Sequence, residues 1–80
     1  MESIANYKKL FVESFALENS DNIEHSEYNS IPEWDSIGHI SLISALEEKY
    51  DISFETDDVI DFSSFKKGIE ILNKYGVKIK

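Results

Sequence analysis

The chain contains no cysteine. That removes a disulfide framework and a thiolate metal site together, and any thioester chemistry would have to borrow its sulfur from a cofactor. Long apolar runs are missing as well. Nothing approaches the roughly 20 apolar residues that span a bilayer, and the N-terminus lacks a signal peptide's charged-then-apolar layout. A cytoplasmic location with no membrane partner is the expectation. Basic residues are scarce where acidic ones are dense. Between Glu18 and Asp61 thirteen carboxylates face the single Lys49, a local net of −12, while the flanks sum to +4 and the whole chain to −8. So acidic a middle argues against nucleic acid and anionic lipid, which need basic surface. It favours proteins with basic patches, met quickly through electrostatic steering. Keeping a small domain soluble is the plainer use of the same charge.

Eighty residues make one domain, 1–80, above the size at which staples become necessary. Ser3 to about Ala16 has the spacing of a first helix, with Ile4, Tyr7, Phe11 and Phe15 on one line and Leu10, Val12 and Leu17 widening the face. Leu17 to Asp35 shows neither helical nor strand period and reads as a long loop, pinned by Ile23, Tyr28, Ile31 and Trp34. After the next helix, Thr56 is expected to cap a short acidic turn through Asp61, an element too short to stand alone and therefore the most mobile. Ser63 or Ser64 caps a last helix with Phe65, Ile69, Ile71 and Leu72 apolar, and Gly76 suits the position past its end. The sum is an all-α chain: a four-helix bundle of three longer helices and a short third one, with a long loop between the first two. The start Met1-Glu2-Ser3 and the basic tail from Val77 fit a free-standing protein.

The most informative stretch runs from Trp34 to Tyr50. Pro32, the single proline, stands just upstream where helix interior is excluded, and Asp35 is a good N-cap. Ile40, Ile43, Leu46 and Tyr50 then recur at helical spacing, with Leu42 and Ala45 beside them. Ser36 falls in the first turn, where backbone N–H groups are unpaired and the dipole is positive. A phosphodiester on that hydroxyl would gain from both. The serine reads as an attachment point.

Asp35-Ser36-Ile37, followed by Leu42 and by Ala45-Leu46-Glu47-Glu48, in a small acidic chain of this helix order, resembles the acyl carrier protein family. The resemblance implies a 4'-phosphopantetheine arm, derived from coenzyme A, on Ser36, with Asp35 and Ile37 flanking the attachment. It implies a carrier that performs no catalysis. Its partners would be a phosphopantetheinyl transferase and acyl-loading and acyl-processing enzymes with basic docking patches, serving fatty-acid, polyketide or other specialised biosynthesis. The protein itself is expected to be a monomer. Ile37, Ile40 and Ser44, with Glu47 and Glu48 further along, form the expected docking face of helix two. The seam between helices two and three, with Leu42, Leu46, Phe54 and Ile60, is the expected acyl pocket, although ordinary core accounts for most of their surface. Gly38 and Ser41 stand where carriers of primary fatty-acid synthesis usually have acids. The stretch looks more like stand-alone carriers of secondary-metabolite or surface-polysaccharide pathways, and Gly38 would let a partner approach closely.

Other readings make different demands. His39 lies three residues after Ser36, on a neighbouring face. A hydrolytic dyad would also need an oriented base, an oxyanion hole and a pocket closed to water, which a surface serine in so short a chain does not offer. No catalytic residue is expected. A surface histidine touching the arm or a partner fits better. No metal site is expected either, since His25 and His39 share no ligand spacing and no calcium-loop pattern lies between Asp21 and Glu33. An aminoacyl or peptidyl carrier would share the arm, but Glu33-Trp34 stand where such carriers usually show a Gly-Gly pair. An unmodified acidic helical adaptor binding a basic protein would leave Ser36 as a plain helix-start residue.

Overall fold

Serine and aspartate hydroxyls and carboxylates open the longer helices. Ser3 Oγ accepts from the Asn6 amide and begins α1, Ile4–Phe15. Asp35 does the same for the Gly38 amide ahead of α2, Ser36–Tyr50. Ser64 takes the Lys67 amide ahead of α4, Phe65–Lys74. Between them lies α3, Thr56–Asp61, whose N-cap is Glu55 and has no side-chain cap bond. Thr56, expected as the cap, is instead the first helical residue. The computed structural model describes residues 3–19 and 21–80; Met1 and Glu2 of the chain start and Ser20 of the first connection lie outside the described residues. Among the described residues there are four α-helices and no strand, the extended pairing being an isolated antiparallel bridge from Glu27 to Ser64. None of the helices is long and apolar enough to cross a membrane.

The ends of the helices follow backbone chemistry. Past α4, Gly76 takes φ +85°, its amide bonds Asn73 O, and the Val77 amide bonds Leu72 O. This paired closure satisfies carbonyls that the helix leaves open. The tail then returns to the first helix, where the Ile4 amide donates to Lys80 O at 2.6 Å.

The interior is largely aromatic. Phe11 of α1 lies 4.9 Å from the Tyr7 ring, 5.0 Å from Phe65 and 5.5 Å from Trp34, centroid to centroid. Such edge and tilted pairs add about 0.5–1.5 kcal/mol each beyond area burial. Leu42, Ile43 and Leu46 supply the buried side of α2, and Ile23 and Trp34 bring the 16–35 connection onto the core. That connection carries a 3-10 turn at Ile23–His25 that the sequence pattern does not announce. Burial pushes the Tyr7 phenol far above its ordinary range, and its hydroxyl donates to Phe65 O at 2.8 Å. The radius of gyration is 11.3 Å, against roughly 11.6 Å for a compact domain of this length.

Six residues are too few for a stable helix in water, so α3 depends on side chains. Buried Asp58 binds Lys74 Nζ through Oδ1 at 2.6 Å and accepts from the Tyr75 hydroxyl through Oδ2 at 2.5 Å. The same Tyr75 oxygen accepts from the Glu55 amide at 3.0 Å, closing the N-terminus of α3 from the end of α4. The Lys74 ammonium and then the Tyr75 hydroxyl hold the Asp58 carboxyl below the usual carboxylate range, and Asp58 raises Lys74 in return. Because the folded value lies below the unfolded one of about 3.9, this contribution is complete above that value. It is lost as pH falls through the lower folded value. Asp58→Asn is therefore expected to lower the thermal midpoint at neutral pH and to flatten the acid-side decline below about pH 4. A midpoint-against-pH series on both proteins checks this, and parallel curves would count against it.

Candidate functional site

Two turns set the approach to Ser36. In the first, the Ser30 amide and hydroxyl both donate to Glu27 O, at 2.9 and 2.7 Å, and Asn29 adopts φ +66°. In the second, the Trp34 amide donates to Ile31 O at 3.1 Å around Pro32, whose fixed φ suits that corner. Asp35 then caps α2, its Oδ1 on the Gly38 amide at 2.8 Å and its carbonyl accepting from His39 at 2.8 Å. Ser36 is left as the first helical residue, exposed to solvent. Its Oγ lies 3.0 Å from the Tyr28 hydroxyl.

Gly38 has a structural reason of its own. A Cβ there would run into the chain's own Glu33 carbonyl, so the open side of this glycine is filled from within and not left to a partner.

His39 bridges two elements. Its Nδ1 accepts from the indole Nε1–H of fully buried Trp34 at 2.9 Å, and its Nε2 lies 2.8 Å from Val59 O of α3. One neighbour is a donor and the other an acceptor, so the ring must be neutral with its proton on Nε2. Neither nitrogen is engaged with Ser36. The imidazole is a tie between α2 and α3, and the Tyr28 and Phe62 rings meet it edge-on at 5.4 and 6.2 Å.

Beside Ser36 opens a predominantly apolar groove of about 360 Å³, lined by Tyr28, Ser36, His39, Ile40, Val59, Ile60, Phe62 and Ser63. Among the described residues no carboxylate lines it, although the surrounding sequence is strongly acidic. Of the residues expected to form an acyl pocket, only Ile60 lies on this groove, and it is 71% exposed. Leu42 and Leu46 are fully buried in the core. They lie six and ten residues beyond Ser36, roughly 120° and 80° around the helix from it. Phe54 is half-buried against Phe62 and Tyr75.

The expected docking residues divide as well. Ile37 is 78% and Ile40 59% exposed, and Ser44 and Glu48 also face solvent. Glu47 is half-buried, and its Oε2 accepts from the Phe54 amide at 2.8 Å, so this carboxylate secures the link into α3. Val59, Phe62 and Ser63 carry no sequence signal for the groove. His39 and Ile40 do, standing three and four residues after Ser36 on its side of the helix. Among the described residues no His, Asp or Glu cluster could hold a metal ion. Comparisons with family models, curated proteins and solved structures returned no match.

Two substitutions check this geometry. Gly38→Ala gains about 1 kcal/mol of helix propensity but meets a backbone carbonyl, an overpacking cost of about 1–3 kcal/mol. A net loss in denaturant midpoint is expected, and a gain would overturn the close approach. His39→Phe strands the indole N–H, so a loss of about 2 kcal/mol is expected, and a smaller one when Trp34→Phe is already present. Imidazole nitrogen NMR of the wild type should report the Nε2–H tautomer; a proton on Nδ1 would contradict the bridge.

Proposed function

We propose that the chain is an acyl carrier protein: a four-helix bundle with a long connection between α1 and α2 that carries acyl groups as thioesters on a 4'-phosphopantetheine arm at Ser36. One observation carries the reading. Ser36 is the exposed first residue of α2 at the rim of an uncharged, mostly apolar groove. The hydroxyl is open to a transferase. Asp35 takes the Gly38 and His39 amides, and those of Ser36 and Ile37, which precede the first intrahelical bond, stand at the positive end of the helix, which favours an attached anion. The absence of a carboxylate among the lining residues suits a phosphodiester for the same reason.

The arm supplies the thiol that a chain without cysteine lacks. The chain's own residues bind and present. Ile40, Val59, Ile60 and Phe62 offer apolar surface to a short acyl group beside the attachment point. Exposed Ile37 and Ile40, with Ser44 and Glu48, form the face for transient docking to enzymes with basic patches. Tethering replaces diffusion by a high effective concentration at each partner, which is the service a monomeric cytoplasmic shuttle provides.

Incubation with coenzyme A and a broad-specificity phosphopantetheinyl transferase tests the reading. Intact mass should rise by one arm in the wild type and stay unchanged in Ser36→Ala. A wild-type chain that no transferase modifies would remove the carrier assignment.

A further inference from the structure

The hydroxyl in contact with Ser36 belongs to Tyr28, eight residues earlier, with the two oxygens 3.0 Å apart. Tyr28 is held from several directions. Its amide donates to Ser63 O at 2.8 Å, at the junction of α3 and α4. Its turn is closed by Ser30, and the next residues are tied back by the Asn29 amide on Trp34 O at 2.9 Å. Its ring rests on His39, which is itself fixed at both nitrogens. The phenol is therefore aimed at Ser36 by backbone anchored elsewhere in the fold.

We propose that Tyr28 is a positioning residue for the modification of Ser36, its hydroxyl accepting from the serine before the arm is attached and donating to the phosphodiester afterwards. This rests on the carrier reading. Either oxygen can donate in the unmodified protein. With the serine as donor, its O–H is turned toward Tyr28 and its lone pairs face outward, toward the coenzyme A that a transferase presents. In the transfer, Ser36 Oγ forms a bond to the phosphorus that bears pantetheine. The pyrophosphate bond of coenzyme A breaks, adenosine 3',5'-bisphosphate leaves, and the serine proton, acidified as the new bond forms, leaves its hydrogen bond to Tyr28 for a base of the transferase. Ser36 Oγ is then an ester oxygen without hydrogen, so the contact survives only if Tyr28 becomes the donor. The Nε2–H of His39, which also lines the groove, is already given to Val59. Tyr28 and Ser63 both bring a hydroxyl to the groove, and the phenol is the one already at Ser36 Oγ, 3.0 Å away.

Tyr28→Phe tests this, because it removes one oxygen from a side chain that is 38% exposed and leaves the ring on His39. Far-UV circular dichroism establishes that the variant is folded. Initial rates of arm attachment are measured by intact mass at subsaturating carrier, and the purified modified proteins are compared by phosphorus NMR. The expected results are a fall of about three- to tenfold in kcat/KM, the kinetic equivalent of one neutral hydrogen bond, and a displaced phosphodiester resonance. A rate within twofold of wild type, or coincident resonances, would overturn the role of Tyr28 while leaving the carrier intact. A wild type that takes no arm overturns the carrier reading instead.

Discussion

A neutral imidazole stands between one donor and one acceptor, and the wall of the groove depends on it. His39 joins the Trp34 indole to the Val59 carbonyl, and α3 has too few residues to hold itself. On its other side the same helix is tied through Asp58 to Lys74 and Tyr75. The two ties differ in kind. One is a pair of hydrogen bonds that needs an uncharged ring; the other needs a charged carboxylate.

The longer helices were legible because capping side chain and apolar period agree in each. Asp35 makes the capping bond expected of it, and of Ser63 and Ser64 it is Ser64 that caps α4. Ser3, read as the first helical residue, is instead the cap of α1, and Gly76 takes the left-handed backbone expected past α4. Legibility failed where the determinant lies far away in sequence. Glu55 takes the cap position ahead of Thr56, and the Tyr75 hydroxyl, twenty residues on, receives its amide. Glu47 looked like a docking carboxylate but serves the Phe54 amide. The exposed serine at the start of α2 was readable from Asp35 and Pro32 alone. Its surroundings were not, since Tyr28 and Ser63 reach it through turns and a backbone bridge.

Helix geometry explains the largest difference between the expected and observed groove. Apolar side chains on α2 form a broad face, and the sequence reading assigns Leu42 and Leu46 to the pocket and Ile40 to the docking face. In three dimensions the first two fill the core, while Ile40 and Ile60 remain open to solvent beside Ser36. Their exposure sets apolar surface within a strongly acidic part of the chain.

Trp34 is the chain's single tryptophan, and it is buried with its N–H on a ring that lines the groove. The molecule thus contains an intrinsic fluorophore wired to its own cleft. Light emitted by that indole can be followed without labels, turning an internal strut into an optical report on its bond to His39.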